Sequence, residues 1–556
     1  MKNIKFNKPA GLFVLALAMP LLSGCTIFDV IQSLDIGPSS QNSPSSISVP
    51  EHSLTESHTN DFDGYYQPDS VNDAMSYQIL GQYDEDPYMP SVGDLNILVI
   101  PVEFSDYPFS SSTLNDIKTL TAGTADDTKY WESLSSFYQK SSYGRLNLTF
   151  TQMDKVNVGS IASFVRGTEA DQETFLPGNA LRQAVSEYKK LHGSNSTQAF
   201  DSDKDGYIDA AIMIYSAPNY TNSLVTKSHS DLFWAYCYSD YYSMSEPSVS
   251  SPIGHRYFWA SYDFFYTATG TPTAHTGVDA HTLIHEAGHL MGSDDFYNMI
   301  REGRDIAEPS GGLMMMAWNV GDHDMFSKLS FGWTEPYVVT DNCTIQIRPS
   351  QSSGDCILLA DHWNGTSFDE YVLIDYYTPT GLSEHDAKIV YPEYLGKASE
   401  TSYRSSGIRV FHVDSRLAYG ATINDDNRFI AEGYLTDEEV ADFEHFDKTV
   451  RYQGQIYAAY VMPAISNCAG YDCTLAADKG YELIQIVQKG KRNLTKDGSL
   501  STSADLFQKG DSFSLSEYSA FFPNQDKLNN GNVLPFSFTV DDIGSDGAIL
   551  TFTKTA

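Results

Sequence analysis

The sequence predicts an α+β fold, with a mixed domain over residues 91–338 and an all-β, sandwich-like region over residues 339–556. In the first region, the apolar, β-branched runs NILVIPVEF and DAAIMIY are typical of buried strands. They alternate with helix-like periodicity at Trp131–Tyr143 and Val278–Met291. Beyond Pro336, short alternating segments such as CTIQIRP, EYVLIDYY, GIRVFHVD and FSFTV are separated by Gly, Asn and Asp, as in antiparallel sheets.

Composition limits the classes of protein that this chain belongs to. Its 556 residues are enough for about two to four folded units. Aromatic residues make up 13% and apolar residues 41%, which excludes a chain that is disordered throughout. With 35 basic and 72 acidic residues the net charge is −37, which repels phosphate backbones. We therefore predict no nucleic-acid partner.

Residues 1–25 have the pattern of an export signal. Lys2, Lys5 and Lys8 precede an apolar run that is too short for a permanent membrane span. The next residues, Leu22-Ser23-Gly24-Cys25, resemble the bacterial lipobox, which implies cleavage before Cys25 and lipidation of its thiol. An ordinary signal peptide with an incidental cysteine is the alternative. The resemblance implies an exported bacterial lipoprotein, anchored by lipid to the extracellular face of the cell membrane or the cell surface.

Residues 26–90 are predicted to be a Ser/Pro-rich tether, whose last part is a candidate pro-segment. Up to about Asp61 the composition is rich in Ser, Pro, Asn and Gly, which buries little apolar surface. Residues 62–92 are aromatic and acidic, and they suit either a short pro-segment or a first docking turn.

Five cysteines remain after Cys25, an odd number for an oxidising compartment. The short loops Cys343–Cys356 and Cys468–Cys473 are compatible with disulfides, which would leave Cys237 free. Sequence alone leaves the pairing open.

An acidic loop precedes the run DAAIMIY. Its residues Asp201, Asp203, Asp205, Gly206 and Asp209 form the pattern DxDxDGxxD. Alternate carboxylates around a glycine bend suit Ca²⁺, which takes six to eight oxygen ligands. An EF-hand would have Glu at its twelfth position, where this chain has Ile212. We predict a structural calcium ion here, with a solvated acidic turn as the alternative.

The predicted helix at Val278–Met291 contains His285-Glu286-Ala287-Gly288-His289, an HExxH pattern. Histidines four residues apart project from one face of a helix and can bind one ion together. Glu286 is turned by about 100° from His285, close enough to act on a water without binding the metal. The alternative is a solvated helix face with incidental histidines.

A third ligand is expected shortly after the helix. Gly292 and Asp295 extend the pattern to HExxHxxGxxD, and a glycine permits the chain to reverse there at positive φ. We favour Asp295 on spacing, with Asp294 as its competitor. Glu302 and Glu308 are more distant rivals.

His281 lies one turn before His285 on the same stripe of the helix. Three imidazoles spaced four residues apart cannot share one ion, because the outer two are separated by about 12 Å. We therefore expect a structural or supporting role for His281.

Two imidazoles and one carboxylate leave one position of a tetrahedral zinc open, which is the pattern of a catalytic site. Zinc lowers the pKa of a bound water to about 7, and Glu286 can accept its proton and return it to a leaving amine. This chemistry is amide hydrolysis, so the sequence predicts a zinc-dependent endopeptidase that acts on proteins or peptides.

The segment HEAGHLMGSDDFY, followed by SGGLMMMAWNVGDHDMFSKLSFGW, resembles the immune inhibitor A family of secreted bacterial metallopeptidases. LVIPVEFSD, SFYQKSSYGRL, EYVLIDYY and GIRVFHVD extend the similarity to roughly residues 90–556. The resemblance implies a metzincin-like domain with zinc on His285, His289 and Asp295 and with Glu286 as base. It also implies a calcium turn to which Tyr207 adds its backbone carbonyl.

The resemblance further implies a methionine turn beneath the metal, at Met316, with Met314 and Met315 as adjacent alternatives. Position 318 is Trp rather than Tyr, so the hydroxyl that some metzincins place near the metal is missing. Asp322 or His323 is a candidate substitute for it, and core or capping roles are the alternative.

The leading hypothesis is a surface-anchored, monomeric zinc endopeptidase. A non-catalytic, calcium-binding adhesin with the same fold is the alternative, and it predicts the loss of a ligand or of the base, neither of which is lost. A solute-binding lipoprotein would leave HExxHxxGxxD unexplained.

Overall fold

The computed structural model describes residues 46–243, 245–266, 277–298, 307–389, 402–423, 428–452, 454–468 and 472–555. It is a mixed α/β fold with several β-sheets, in agreement with the predicted α+β class. The predicted signal with Cys25, the tether up to residue 45 and the rival ligand Glu302 lie outside these ranges. No helix within the ranges is long and apolar enough to cross a membrane.

The elements are numbered along the chain. The α-helices are α1 (Tyr77–Asp84), α2 (Ser111–Ala122), α3 (Ala125–Thr128), α4 (Leu134–Ser141), α5 (Ile161–Phe164), α6 (Leu176–His192), α7 (His281–Leu290), α8 (Met315–Trp318), α9 (Met325–Ser330), α10 (Ser350–Ser353), α11 (Glu384–Lys388) and α12 (Asp437–Ala441). Short 3-10 helices lie at Ala170–Phe175, Ser196–Phe200, Lys227–His229, Tyr262–Phe265, Gly381–Ser383, Phe443–His445, Leu494–Asp497, Ser503–Asp505 and Ser519–Phe521.

The strands of the first half are β1 (Tyr65–Tyr66), β2 (Gly93–Glu103), β3 (Leu146–Gln152), β4 (Val156–Asn157), β5 (Ala211–Tyr215), β6 (Tyr236–Ser239) and β7 (Arg256–Ser261). Those of the second half are β8 (Tyr337–Val339), β9 (Cys343–Ile347), β10 (Cys356–Leu359), β11 (Glu370–Tyr377), β12 (Gly407–Asp414), β13 (Leu417–Ile423), β14 (Arg428–Tyr434), β15 (Thr449–Tyr452), β16 (Gln455–Ala458), β17 (Tyr460–Pro463), β18 (Asp472–Cys473), β19 (Ile484–Ile486), β20 (Ser512–Phe513), β21 (Phe536–Gly544) and β22 (Gly547–Lys554).

The first half is built on a sheet of order β3-β2-β5-β7-β6. Strands β2, β3, β5 and β7 run parallel, and β6 is antiparallel to β7. The runs NILVIPVEF and DAAIMIY form β2 and β5, which are buried almost throughout, as expected for parallel strands covered on both faces. Helix α7, which carries the HExxH pattern, packs against β6 and β7.

The second half contains a six-stranded sheet, β1-β8-β10-β11-β12-β19, and a four-stranded sheet, β20-β21-β22-β9. Along β10, Ile357 and Leu359 face a core shared with the four-stranded sheet. The alternate residues Cys356 and Leu358 face the large core that also contains Ile284 of α7. The six-stranded sheet is therefore buried on both faces, and one face supports the first half. This explains why every residue of β10, β11, β12 and β19 is buried.

The part of residues 26–90 that the structure describes is packed onto the rest of the chain. Strand β1 pairs with β8, and Met89 N–H donates to the carbonyl of Leu290 at the end of α7, at 2.9 Å. The Asp86 carboxylate contacts the His255 imidazole at 2.7 Å and the Arg256 guanidinium at 2.9 Å. The segment 62–92, which suits either a short pro-segment or a first docking turn, is packed onto the rest of the chain in this structure.

Candidate metal centre

Helix α7 carries the two histidines of the HExxH pattern on one face. All ten of its residues, His281–Leu290, are buried. The Nε2 atoms of His285 and His289 lie 3.1 Å apart. The spacing of four residues therefore brings the two ring nitrogens to one point, as one helical turn requires.

Asp295 completes a cluster with the two imidazoles. Its Oδ1 lies 3.0 Å from His285 Nε2 and 3.4 Å from His289 Nε2. One ligand atom from each of the three residues falls within 4.8 Å of the others, a geometry that could hold one metal ion. The chain reverses at Gly292, whose φ of 106° favours glycine. A Cβ there would also lie 2.5 Å from Tyr77 Cγ.

Backbone carbonyls orient both rings. His285 Nδ1 donates to the Met315 carbonyl at 2.8 Å, and His289 Nδ1 donates to the Ser293 carbonyl at 2.7 Å. Since a carbonyl only accepts, each Nδ1 carries the hydrogen and each Nε2 is left with a lone pair for a metal. Nothing in the sequence marks Met315 or Ser293 for this role, because a backbone carbonyl leaves no signal in the residue type.

The charges of the cluster favour a cation. Burial opposes the charge on His289, but the Asp295 carboxylate outweighs it, and the pKa of His289 rises to about 9. Burial also opposes the charge on Asp295, yet the two imidazoles hold the pKa of this carboxyl well below its usual range. The buried Asp295 carboxylate is stabilised by positive charge at the point where the two rings meet. A protonated imidazole supplies that charge here, and a divalent ion at the same point would also supply it.

Glu286 lies within α7 and is fully buried. Its carboxylate helps to raise the pKa of His289, so its charge acts on the cluster of His285, His289 and Asp295. Its backbone carbonyl accepts a hydrogen bond from the Cys237 thiol of β6 at 2.9 Å. Cys237 thus links strand β6 to helix α7.

The competing acids Asp294 and Glu308 are not part of this cluster. Asp294 accepts hydrogen bonds from the Ser466 hydroxyl and, at 3.7 Å, from the Cys468 thiol. Burial raises the pKa of Asp294 to about 6. Glu308 does not belong to the cluster, and its backbone N–H donates to the Thr495 carbonyl at 2.9 Å.

His281 is held apart from the cluster. Its Nδ1 contacts Asp279 Oδ1 at 2.6 Å, and its Nε2 contacts Asp386 Oδ2 at 3.2 Å. Its ring stacks on Trp131 with 3.8 Å between the ring centroids. Burial opposes its charge, but the two carboxylates outweigh it and raise the pKa of His281 to about 10. This cage gives His281 the structural role that its spacing predicts.

The three adjacent methionines occupy different positions. Met316 packs directly against the metal helix, because a Cβ on Gly288 would lie 2.5 Å from its Sδ. Met315 supplies the carbonyl that orients His285, and Met314 is the N-cap of α8. The Met316 side chain therefore contacts the HExxH helix, as expected for the methionine predicted at this position.

The segment GDHD has core and capping roles. Asp322 pairs with Lys328 Nζ at 2.7 Å and accepts from the Ser141 hydroxyl at 2.5 Å. Asp324 caps the N-terminus of α9.

Tyr297, two residues beyond Asp295, stacks on His285 with 6.4 Å between the ring centroids. The sequence gives no signal for this position of Tyr297 other than its closeness to Asp295 in the chain.

His323 lies among aromatic rings next to helix α7. It is 2% exposed, and neither ring nitrogen has a hydrogen-bond partner. The rings around it, at centroid distances of 5.5–5.8 Å, belong to Phe137, Tyr138, Phe331 and Trp333. Burial, reinforced by Lys328 and the two ligand imidazoles, holds the pKa of His323 well below its ordinary value.

Replacing His323 by Phe is therefore expected to raise the free energy of unfolding by about 1–2 kcal/mol, because a buried unsatisfied polar group costs roughly that much. Below about pH 6.5 the unfolded chain binds a proton at His323 and the folded chain does not, so the parent protein loses stability as the pH falls. The gain from Phe should therefore be larger at about pH 5 than at about pH 8. Thermal unfolding of both proteins measures it, and a gap in Tm that does not widen at the lower pH contradicts the prediction.

The acidic loop forms a second cluster. One carboxylate oxygen from each of Asp201, Asp203 and Asp209 lies within 4.8 Å of the others. Asp209 Oδ1 accepts from the Ser202 N–H at 2.9 Å, and its buried Oδ2 has no hydrogen-bond partner. Burial is the main reason that the pKa of Asp209 rises to about 7.

The remaining two predicted calcium ligands are placed at the bend. Asp205 Oδ1 accepts from the Tyr207 N–H at 2.8 Å, and Asp205 is not one of the three residues whose carboxylate oxygens converge. Burial raises the pKa of Asp205 to about 6. Tyr207 forms an isolated bridge to Ile253, which ties the loop to its neighbour. Gly206 turns the chain at a φ of 94°.

Neither of the two disulfides considered from the sequence is formed. Cys237, Cys343, Cys356 and Cys468 carry free thiols. Cys343 lies on β9 in the four-stranded sheet and Cys356 on β10 in the six-stranded sheet, so a short loop does not bring them together. The Cys468 thiol faces Asp294 and the Asp295 carbonyl.

No protein-family model matches the chain, and no curated protein matches it significantly. The class of site therefore rests on its own geometry, which is a buried helix with two histidines, one carboxylate and an adjacent glutamate.

Proposed function

We propose that the protein is a zinc-dependent endopeptidase of the metzincin type, similar to the immune inhibitor A family. The observation that carries this proposal is the convergence of His285, His289 and Asp295 on one point, with Glu286 between the two histidines on the same helix. Two imidazoles and one carboxylate match zinc's preference for nitrogen and oxygen ligands and leave a fourth position for substrate chemistry.

Zinc at this position would polarise a peptide carbonyl and lower the pKa of water to about 7. Glu286 would accept the proton of the attacking water and pass it to the leaving amine. Met315 and Ser293 hold the imidazoles in the tautomer that binds metal. Burial of the cluster strengthens each of these charge interactions.

The surroundings of the helix also support the metzincin-type assignment. A sheet of parallel strands with one antiparallel edge strand, β6, lies against α7. Met316 underlies the helix, where the resemblance expects the methionine turn. Trp318 leaves the tyrosine of that turn missing, and Asp322 does not replace it because it is paired with Lys328.

The adhesin alternative expects a decayed centre, with a ligand or the base replaced. The described residues keep His285, His289 and Asp295 in one cluster, with Glu286 on the same helix as the two histidines, and this favours the enzyme. The lipobox and the net charge of −37 support an exported, lipid-anchored enzyme that acts on protein or peptide substrates outside the cell, with no nucleic-acid partner and as a monomer.

Metal analysis combined with a casein-cleavage assay tests the proposal. We expect one zinc per chain, cleavage of casein, and loss of cleavage in 1,10-phenanthroline that zinc restores. A protein that binds no zinc would contradict the proposal and favour the adhesin.

A structural calcium ion at the acidic loop belongs to the same proposal. Asp201, Asp203 and Asp209 supply three converging carboxylates, and the unpartnered Oδ2 of Asp209 offers an acceptor for the ion. The ion would hold the loop that leads into β5, and the Asp205 carboxylate and the Tyr207 carbonyl remain proposed further ligands.

Calcium is expected to raise the Tm, because an ion present at about 100 times its Kd stabilises the folded state by about 2.7 kcal/mol. Asp209→Asn should lose most of this response, since the amide keeps an oxygen for Ser202 but loses the charge. The control is Asp526→Asn, a change on an exposed residue far along the chain. Scanning calorimetry with and without calcium measures the effect, and an equal response in both variants contradicts the site.

A further inference from the structure

The turn that carries Asp295 is hydrogen-bonded to a loop from the second half of the chain. This loop, residues 464–468, follows β17. The Ser466 hydroxyl donates to Asp294 Oδ2, and the Cys468 N–H donates to the same hydroxyl oxygen at 3.0 Å. The residue before the proposed third ligand is therefore anchored by a side chain more than 170 positions away in the sequence.

Asn467 is hydrogen-bonded to Phe296, the residue that follows Asp295. Its Nδ2 donates to the Phe296 carbonyl at 3.1 Å and to the Ile484 carbonyl at 2.8 Å. Its Oδ1 accepts from the N–H groups of Leu483, at 2.8 Å, and Ile484, at 3.3 Å. The side chain is 5% exposed, and its amide donates twice and accepts twice. Asn467 thus links the turn to β19 of the six-stranded sheet.

The opposite side of Phe296 is held by the first half of the chain. The Phe296 N–H donates to the Met316 carbonyl at 2.8 Å. Asp295 therefore lies between two residues that are held by hydrogen bonds. On one side the Asp294 carboxylate accepts from Ser466, and on the other the N–H and the carbonyl of Phe296 are both hydrogen-bonded. Such support fixes a ligand within the few tenths of an ångström that metal binding requires.

We propose that Ser466 and Asn467 are positioning residues for the Asp295 carboxylate, so that the region beyond residue 339 forms part of the metal centre. The inference rests on the proposed zinc function and deepens it. It assigns to the β-rich region a contribution to metal affinity that goes beyond packing against the first half.

The test compares zinc affinity with stability in two matched variants of the full chain. Asn467→Leu removes the amide at similar size. Asn529→Leu is the control, because Asn529 is a buried asparagine of the same region whose amide donates to Asp414 at 2.8 Å, away from the metal turn. Competition with a fluorescent zinc chelator gives the zinc Kd, and calorimetry of the metal-free proteins gives the Tm.

We expect both variants to lower the Tm, and only Asn467→Leu to weaken zinc binding, by roughly 10–100-fold. Equal zinc affinity in Asn467→Leu and the parent protein would overturn the inference. Ser466→Ala, a milder change, should weaken zinc binding by roughly 3–10-fold and provides the test if Asn467→Leu does not fold. An unchanged zinc Kd in that variant would likewise overturn the inference.

The measurements distinguish failure of the proposed zinc function from failure of the positioning role. If the parent protein binds no zinc, the proposed function fails, and this inference fails with it. If the parent protein binds zinc and cleaves casein while both loop variants bind zinc normally, only the positioning role is wrong.

Discussion

The Glu286→Gln variant is expected to keep its zinc and to lose hydrolysis of peptide bonds, with kcat falling by roughly 10²–10⁴-fold. Glutamine has nearly the shape of glutamate, so the fully buried position in α7 can accept it without a cavity. An amide cannot take a proton from water, however, so the attacking group would no longer be activated. Casein cleavage, with zinc content measured on the same samples, provides the comparison.

A surface glutamate gives the matched control. Glu187 lies on α6, where it accepts a hydrogen bond from Gln183 at 3.0 Å, and Glu187→Gln should leave both zinc content and cleavage unchanged. Full activity in Glu286→Gln would remove the general base from the proposal. Loss of zinc in that variant would indicate that Glu286 is needed to build the centre rather than to act in it.

Asp295→Ala is expected to weaken zinc binding by more than about 100-fold, because it removes a ligand and the charge that balances the ion. Its neighbour offers a sharp comparison. Asp294→Asn keeps an oxygen to accept the Ser466 hydroxyl, so it should cost less than about 10-fold. Zinc Kd values from chelator competition separate the two adjacent acids.

The reverse order of these effects would identify Asp294 as the third ligand. Equal, small effects would point to a ligand outside the described residues, where Glu302 lies. In either case the carboxylate assigned from the geometry would be wrong.

Local patterns predicted much of the fold. The apolar runs at Gly93–Glu103 and Ala211–Tyr215 form strands, and His281–Leu290 forms a helix, because each pattern reflects the period of its own element. The pairing of His285 with His289 follows from a single helical turn, and no distant contact is needed to predict it.

Pairs of residues in different elements could not be predicted in this way. The two loops considered for disulfides are short in sequence, but Cys343 and Cys356 lie in different sheets. The docking of residues 62–90 depends on partners such as β8 and Leu290, more than 200 positions away. Such contacts leave no periodic signal in either segment.

The sequence by itself determined the chemistry that we propose for this protein, since the residue types and spacings of HExxHxxGxxD and DxDxDGxxD are the basis for the proposed ions and the proposed base. Only the tertiary structure decided that Asp295 and not Asp294 meets the imidazoles, that Met316 underlies the helix, and that Asn467 holds the turn. The physical reason is range. A helical turn is set by bonds between residues four apart, whereas the direction of a side chain after the turn depends on packing and hydrogen bonds from segments that only the complete fold brings together.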